Sequence, residues 1–259
     1  MSKYRKLFLL KQNFMLNESI KLSDLDSNHI KNVLRQEVGD KILVLNEDGS
    51  RWLANIEEVR KKVIIRIVEQ LEHREINTVS NNIHIIFCPT KSHNLQFFIS
   101  KIVECEVEKA TIMLSERTVL RRISEHKIPT YIKGAVEQSD NIKIPIIKVS
   151  NTFIDAITDA ISPNVLVVLL HTQSLDCLYV KQFQKFQNLD TYITENHIKD
   201  VVFVVGAEGG WSESELNSFL LLTKQFSHIG VWKIGNSVMR AETAFMSAIC
   251  ASNILVGKW

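Results

Sequence analysis

The sequence predicts a two-part α/β protein, in which a small β-rich unit precedes a larger domain with a mainly parallel sheet. Short apolar runs rich in Val and Ile recur after residue 83, as in strands that are buried on both faces. Helix-length stretches alternate with these runs, and such alternation is typical of parallel sheets. Before residue 75 the strands instead follow one another closely. We therefore place a domain boundary between residues 1–75 and 76–259.

The first part reads as a small β-barrel or sandwich. Its predicted strands are Lys41–Asn46, Trp52–Val59 and Val63–Val68. Asp48 and Gly49 form a dipeptide typical of a hairpin turn between the first two strands. A short helix is predicted before them over Asp24–Leu34, with Leu25, Ile30, Val33 and Leu34 on one face. Residues 70–82 are polar without a clear period, which indicates a linker.

The second part alternates strands and helices. The predicted strands are Ile83–Cys88, Thr111–Leu114, Val165–Leu170, Val201–Val205 and His228–Ile234. The predicted helices are His93–Glu104, Pro129–Gln138, Thr152–Ile161, Glu213–Gln225 and Arg240–Leu255. In an open sheet of this class, ligands bind beyond the carboxyl ends of the strands. The loops after these strands are therefore the first place to look for a site.

Composition excludes several classes of protein. The chain is 45% hydrophobic with 12 Phe, which argues against disorder, and it has no uninterrupted apolar stretch long enough to span a membrane. The apolar run after the basic N-terminus is too short for a signal peptide. The cysteines are too far apart in sequence for a zinc motif or a disulfide framework: Cys88, Cys105, Cys177 and Cys250. We expect a cytoplasmic protein without a metal.

The net charge of +2 is unevenly distributed. Residues 1–75 carry 14 Lys and Arg against 12 Asp and Glu, whereas residues 76–259 carry 17 of each. The first 17 residues contain four basic side chains and no acid: Lys3, Arg5, Lys6 and Lys11. A basic arm of this kind is either a solvated terminus or part of a nucleic-acid surface.

The strongest local pattern is a strand, Val201–Val205, that runs into the glycine-rich segment Gly206–Gly210 and then into a helix. Ser212 and Glu215 have the spacing of a capping box, which fixes the helix start. The segment matches neither the dinucleotide nor the triphosphate glycine pattern. Glu208 would repel a phosphate, so a cationic or ribose-bearing ligand fits better. A tight turn without a ligand is the alternative.

A second strand-loop-helix pattern follows over Ile234–Ala244. Arg240 and Glu242 fall at the start of its helix. Because the helix dipole disfavours a cation there, an arginine at this position usually holds an anion or a carboxylate. Glu242 is favoured by the dipole and is either a cap or a functional carboxylate.

These two patterns and three others, taken together and in order, resemble the bacterial ribosomal RNA uridine-N3 methyltransferases that act on small-subunit RNA. That family belongs to the trefoil-knotted (SPOUT) class. The segments that carry the resemblance are His29–Arg35 with Gly39 and Asp40, Ser115–Thr118, Glu137–Ser139, Gly206–Gly210 and Ile234–Ala244. Several positions depart from the family pattern: Ala207 replaces a proline, Ser237 and Asn141 each replace an arginine, Ile234 and Met239 each replace a leucine, and the segment 103–106 lacks a threonine and a glycine.

The resemblance implies a knotted C-terminal domain that binds S-adenosylmethionine in three loops. The residues expected to form this site are Leu170, His171, Gly206, Glu208, Gly209, Gly210, Ile234, Gly235, Val238 and Met239. Arg240 is the candidate that stabilises negative charge on the uracil as its N3 proton leaves. Glu208 or Glu242 would orient Arg240 or act as the base, and the sequence does not decide between them.

The resemblance also implies that the first part is a PUA-like β-barrel that binds RNA, with 16S ribosomal RNA of the small subunit as the partner. The side chains expected at the RNA are Lys3, Arg5, Lys6, His29, Arg35, Arg117, Arg121 and Arg122. Knotted methyltransferases typically form homodimers, and the apolar last helix is a candidate contact or simply core. Two alternatives remain open: a non-catalytic RNA-binding or ribosome-assembly protein on the same scaffold, and a knotted methyltransferase with another RNA target.

Overall fold

The computed structural model describes residues 4–9, 14–46, 50–73, 83–90, 94–139, 141, 143–172, 180–235, 237–257 and 259. Contacts between residues divide the chain into two compact units. The first comprises Met1–Thr78 together with Lys133–Ile144, and the second comprises Val79–Ile132 together with Pro145–Trp259. The boundary predicted at residues 75 and 76 did not anticipate that the segment 133–144 groups with the first unit.

The first unit is built on a five-stranded mixed sheet. Its strands are β1 (Arg5–Leu9), β2 (Ser19–Lys21), β3 (Lys41–Asn46), β4 (Ser50–Val59) and β5 (Val63–His73). The strand order is β1-β3-β4-β5-β2, in which β1 runs parallel to β3 and the other neighbours are antiparallel. The core lies against this sheet and includes Leu7, Ile42, Val44 and Ile65, each fully buried.

The segment 133–144 is anchored to the first unit by polar contacts. Glu137 accepts a hydrogen bond from the backbone N–H of Phe8 at 3.0 Å, and its other oxygen lies 3.5 Å from Nε2 of His29. Burial raises the pKa of the Glu137 carboxyl. Lys133 pairs with Asp26. These contacts join residues more than a hundred positions apart, which local sequence patterns do not reveal.

The helix predicted over Asp24–Leu34 is broken in two. Helix α1 (Asp24–Asn28) is followed by one π-helical turn, His29–Val33. Because a π-turn bonds i to i+5, it changes the direction in which successive side chains point. Ile30 is therefore fully buried, whereas Leu25 and Val33 are exposed and the predicted apolar face does not form.

The strand β5 also differs from the prediction, since it continues through His73 into the expected linker. Strands β1 and β2 were not predicted. Each is an edge strand of this sheet. Strand β2 has three residues, too few for a recognisable pattern, whereas β1 contains the apolar run Leu7, Phe8 and Leu9, which was considered only as a signal peptide. The predicted hairpin turn at Asp48 and Gly49 lies outside the described residues.

The second unit contains a seven-stranded sheet in which every pair of neighbours is parallel. Its strands are β6 (Ile83–Phe87), β7 (Lys109–Met113), β8 (Ile146–Ser150), β9 (Val165–Leu170), β10 (Lys181–Phe183), β11 (Asp200–Val205) and β12 (Ile229–Trp232). The order is β10-β12-β9-β11-β6-β7-β8. This arrangement confirms the predicted α/β class with a parallel sheet; the trefoil knot stays a prediction.

Apart from α5, the helices beyond α1 in the described residues lie close to the predicted ones. They are α2 (Leu95–Glu104), α3 (Ile128–Ser139), α4 (Phe153–Thr158), α5 (Phe186–Glu195), α6 (Glu213–Gln225) and α7 (Ala241–Leu255). A single 3₁₀ turn, Glu125–Lys127, precedes α3. Helix α5 and the edge strands β8 and β10 were not predicted. Within the described ranges, no helix combines the length and the apolar character that a membrane crossing requires.

The sheet of the second unit is covered on both faces, which explains its continuous apolar strands. Leu166 and Val168 of β9 pack into one core, whereas Val167 and Leu169 between them pack into the other. Helix α7 covers the first face through Phe245, and α6 covers the second through Phe219. Because both faces of the sheet are buried, neighbouring elements hold the central strands in place. The loops that follow these strands start from one edge of the sheet, at the carboxyl ends.

Candidate active site

A pocket of about 510 Å³ lies at the carboxyl ends of β9, β11 and β12. Three loops supply most of its wall, as the sequence predicted for strands of this class. Nine of the ten residues expected there line it: Leu170, His171, Gly206, Glu208, Gly209, Gly210, Ile234, Val238 and Met239. The tenth, Gly235, lies beside Met239 in the third loop. The structure thus brings together three segments that are distant in sequence.

The first loop is held against the second by Trp211. The indole Nε1 of Trp211 donates a hydrogen bond to the carbonyl oxygen of Leu170 at 2.9 Å, and the ring is buried. The backbone N–H of His171 donates to the carbonyl of Trp232 at 3.2 Å, which joins the ends of β9 and β12. Trp211 was not among the predicted site residues. Its position directly after the glycine segment was the available signal.

The glycine-rich loop needs its glycines for two different reasons. Gly210 adopts φ +67°, a left-handed conformation that favours glycine, and its N–H closes a turn onto the carbonyl of Ala207 at 2.9 Å. A Cβ on Gly206 would lie 3.0 Å from the ring of Trp211. The loop therefore follows a path close to the indole that a side chain at position 206 would obstruct.

The start of α6 is fixed by the predicted capping box. The hydroxyl of Ser212 accepts from the backbone N–H of Glu215 at 3.0 Å, and the Glu215 carboxylate accepts from the N–H of Ser212 at 2.8 Å. This reciprocal pair satisfies backbone donors that a helix N-terminus otherwise leaves unpaired. It also fixes the point at which the glycine-rich loop ends.

The third loop contributes Ile234, Ser237, Val238 and Met239 to the pocket wall. Gly235 has φ +76°, and a Cβ added at this position would lie 3.2 Å from Cε of Met239. Val238 is 79% exposed although it lines the pocket, so its side chain is available to a bound molecule. Asn236 lies outside the described residues. Most side chains that this loop adds to the pocket are thus apolar, whereas Glu208 and Glu213 of the neighbouring segment add carboxylates.

Arg240 is the N-cap residue of α7 and does not itself line the pocket, although Met239 and Ala241 on either side of it do. Its side chain is exposed. Among the described residues, no hydrogen bond or ion pair joins Arg240 to Glu208 or to Glu242. Arg240 therefore adjoins the pocket through its neighbours in the chain.

Glu242 faces away from this pocket. Its Oε1 accepts from Nδ2 of Asn94 at 2.6 Å and from the hydroxyl of Thr90 at 3.5 Å. Arg240 is the N-cap with extended backbone, whereas Glu242 lies in the first turn of α7, so the two side chains do not share a helical face. Glu242 instead lines a groove along α7 that also contains Phe97, Phe186 and Ile254.

Comparison with known proteins assigns the larger part of the chain. The family described as "RNA methyltransferase domain" matches residues 77–253, and the family described as "RNA methyltransferase PUA domain" matches residues 22–68. The chain belongs to the RNA methyltransferase family. The first unit contains the PUA domain of this family, and the pocket described above lies in its methyltransferase domain.

Relatives match along nearly their whole length. Two proteins named "Ribosomal RNA small subunit methyltransferase E" are 25% identical (Rickettsia conorii) and 26% identical (Buchnera aphidicola subsp. Schizaphis graminum), each with 98% of this chain and 96% of the relative covered. A putative methyltransferase from Legionella pneumophila, solved with bound cofactor SAM, has a TM-score of 0.75 at 23% identity, with 98% of each chain covered. The Neisseria gonorrhoeae methyltransferase E, solved with S-adenosyl methionine, has a TM-score of 0.68 at 21% identity, covering 97% of this chain and 98% of that one.

The basic side chains predicted at RNA are distributed over both units. In the PUA-containing unit, Arg5 and Arg35 are exposed, whereas His29 contacts Glu137 and is partly covered. Lys6 is half-buried, and Lys3 lies outside the described residues. In the methyltransferase domain, Arg121 and Arg122 are exposed. Nη1 of Arg117 donates to the carbonyl of Gly209 at 3.0 Å, so this arginine also belongs to the pocket wall.

Among the residues that the structure describes, no cysteine lines this pocket. Cys88 is buried, and burial raises the pKa of its thiol to about 11, which keeps it protonated and unreactive. Burial also raises the pKa of Cys105. Over the same described part of the chain, no cluster of three or more His, Cys, Asp or Glu side chains is arranged to hold a metal ion.

Proposed function

We propose that this chain transfers a methyl group from S-adenosylmethionine to N3 of a specific uridine in 16S ribosomal RNA of the small subunit. The observation that carries the proposal is the convergence of three loops on one pocket in a member of the RNA methyltransferase family. The relatives named above are small-subunit ribosomal RNA methyltransferases, and two similar structures hold the methyl donor.

The pocket residues fit S-adenosylmethionine in size and chemistry. A volume of about 510 Å³ lies within the range typical of cofactor sites. Leu170, Val238 and Met239 offer apolar surface for an adenine ring, and Glu208 offers a carboxylate to a cationic sulfonium. When bound, this cofactor supplies a methyl group that is already activated by positive charge on sulfur.

The protein then has to position the uracil and manage its charge. As the N3–H bond breaks, the N3 electron pair forms the new bond to carbon, and the S–C pair stays on sulfur. The uracil N3 proton needs an acceptor, and Glu208, on the pocket wall, is better placed for this than Glu242. Arg240, exposed and next in sequence to two pocket residues, is the group proposed to stabilise the negative charge that develops on the uracil oxygens. Because N3 lies on the Watson–Crick edge, the target base must be unpaired or flipped.

The basic side chains of both units are proposed to hold the RNA: Arg5, Lys6, His29, Arg35, Arg117, Arg121 and Arg122, with Lys3 in the same N-terminal arm. RNA recognition of this kind depends on phosphate contacts and on bases that are not paired. A homodimer is proposed as the working assembly, and the cytoplasm as the location.

The main alternative is a non-catalytic RNA-binding or ribosome-assembly protein on the same scaffold. It is favoured by the residues that depart from the family pattern, Ala207, Ser237 and Asn141. A methyltransferase with another RNA target, such as a ribose hydroxyl, is the second alternative.

Isothermal titration calorimetry with S-adenosylmethionine separates the enzyme from the non-catalytic alternative. The proposal predicts one binding site per chain, with micromolar affinity and weaker binding of methionine alone. A chain that is folded by circular dichroism but gives no heat with the cofactor would contradict the proposal and favour the non-catalytic protein.

A further inference from the structure

A short turn in the methyltransferase domain is joined to the glycine-rich loop and to the start of the helix that follows it. This 115–118 turn follows β7 and comprises Ser115, Glu116, Arg117 and Thr118. It closes on itself through the N–H of Thr118, which donates to the carbonyl of Ser115 at 3.0 Å. The N–H of Ser115 donates in return to the Thr118 hydroxyl at 3.0 Å. Both of these side chains are buried, so the turn is a fixed element.

Glu215 anchors this turn to α6. Its Oε2 accepts from the N–H of Ser212 in the capping box, and its Oε1 accepts from the N–H of Glu116 at 2.9 Å. The Glu215 side chain is almost completely buried. A capping box needs only one of these two bonds, since its partner is within the same helix start. The second bond holds a segment that lies 99 positions earlier in the chain.

Arg117 extends the connection from the turn to the pocket. Its Nη1 donates to the carbonyl oxygen of Gly209 at 3.0 Å. A Cβ on Gly209 would lie 3.1 Å from Cβ of Arg117 and 3.4 Å from the Arg117 carbonyl oxygen. The glycine-rich loop therefore packs directly on the backbone of Arg117. Both residues line the pocket, so a shift of Arg117 would change the shape of the pocket wall.

We propose that Arg117 and Glu215 are positioning residues that fix the glycine-rich loop for cofactor binding. Glu215 fixes the 115–118 turn, the turn places Arg117, and Arg117 holds the carbonyl of Gly209. This role is additional to any RNA contact of Arg117, since a guanidinium has five N–H donors and one of them bonds within the described part of the chain. The inference rests on the proposed function for the identity of the ligand, and on the described contacts for the loop.

The test uses three variants of the full chain and one control. Arg117→Met keeps the aliphatic stem but removes the donor, and Arg117→Lys restores a single donor. Glu215→Gln replaces one carboxylate oxygen by an amide nitrogen that cannot accept, so one of the two backbone N–H groups loses its partner. Arg122→Met removes the same charge from the same basic segment, but Arg122 does not line the pocket.

Cofactor affinity without RNA is the first measurement. Arg117→Met should bind S-adenosylmethionine roughly five- to tenfold more weakly than the unmodified chain, with partial recovery in Arg117→Lys. Arg122→Met should bind the cofactor as the unmodified chain does. If Arg117 were only an RNA contact, both methionine variants would keep full cofactor affinity and lose RNA affinity to a similar extent; that result would overturn the inference.

Hydrogen exchange of the amides at 206–212 is the second measurement, and it needs no ligand. Exchange should be faster in Arg117→Met and in Glu215→Gln than in Arg122→Met, at equal melting temperature. If Glu215→Gln does not fold, the Arg117 variants decide alone. If the unmodified chain does not bind the cofactor, the proposed function fails, while unchanged exchange in Arg117→Met would separately refute the positioning role.

Discussion

Arg240 lies in the chain between two residues that line the pocket, and among the described residues it makes no hydrogen bond or ion pair with either candidate carboxylate. If it stabilises charge on the uracil rather than binding the cofactor, Arg240→Ala should lower kcat by about 10²–10³-fold. Cofactor affinity measured by calorimetry should change less than twofold. Turnover equal to that of the unmodified chain would remove Arg240 from the mechanism.

Adding one methyl group at Gly206 tests how closely the glycine-rich loop approaches Trp211. Because the added Cβ would lie 3.0 Å from the Trp211 ring, Gly206→Ala should displace the indole or the loop and weaken cofactor binding at least tenfold. Gly134 is the matched control, since nothing lies within 4 Å of a Cβ there and it sits inside helix α3. Gly134→Ala should raise the free energy of unfolding by roughly 0.5–1 kcal/mol. Equal cofactor affinity in both variants would contradict the close approach of the loop to Trp211.

Single residues differed in how far the sequence could predict them. The capping box of Ser212 and Glu215 was predictable because its members are three positions apart and the pattern is local. The bonds from Trp211 to Leu170 and from Arg117 to Gly209 join residues 41 and 92 positions apart, so only the fold reveals them. The sequence also could not predict where the Glu242 side chain points, because its hydrogen-bond partner Asn94 lies at the start of another helix.

At the scale of elements, the central parallel sheet contains a histidine that should make stability depend on pH. His84 of β6 bonds the hydroxyl of Thr111 on β7 at 2.9 Å. Burial, assisted by the nearby cations of Lys109 and Lys148, lowers the pKa of His84 from 6.5 to about 4. Between these two values the unfolded chain binds a proton that the folded chain does not. The free energy of unfolding therefore falls as the pH falls from 6.5 to 4.

Removing this histidine should flatten that dependence. His84→Gln keeps a hydrogen-bonding group for Thr111 but does not titrate. Between pH 7 and pH 4 its free energy of unfolding should therefore fall by roughly 2–3 kcal/mol less than that of the unmodified chain. Urea unfolding at a series of pH values measures the difference. His126→Gln, at an exposed histidine, serves as the control and should follow the unmodified chain. Identical slopes for all three proteins would show that His84 is not a source of the pH dependence.

The elements that the sequence predicted well are those buried on two faces or periodic over many residues. Strand β9 and helix α6 have the predicted bounds, because an uninterrupted apolar run and a capped amphipathic stretch are strong local signals. The missed strands β1, β2, β8 and β10 are edges of their sheets. An edge strand of three to five residues is too short for a long alternation, and only β1 among these four, with Leu7, Phe8 and Leu9, has an apolar run that could have predicted it.

At the scale of the whole molecule, the groove along α7 is the surface best suited to the proposed homodimer. Phe245, Ala248 and Ile249 of this helix pack into the core, as one interpretation of the last helix predicted. Ile254 is instead 52% exposed and lines an apolar groove of about 660 Å³ with Phe97 and Met246. A second copy that covers this groove would remove that apolar surface from water.

Light scattering after size exclusion tests this arrangement. The unmodified chain should have the mass of a dimer, and Ile254→Glu should have the mass of a monomer because a carboxylate would be buried without a partner. Leu221→Glu is the control, since Leu221 is a similarly exposed residue on α6 that does not line the groove. A monomeric unmodified chain would contradict the proposed assembly, and a dimeric Ile254→Glu would place the interface elsewhere.

The central claim is methylation of a uridine base in small-subunit ribosomal RNA. Mass mapping of this RNA from a strain that lacks the gene, before and after incubation with the purified protein and S-adenosylmethionine, tests it most directly. The proposal predicts that one uridine lacks a base methyl in the deletion strain and regains it at N3 after incubation. A missing methyl on a ribose, or RNA that is unchanged both by the deletion and by the added protein, would contradict it.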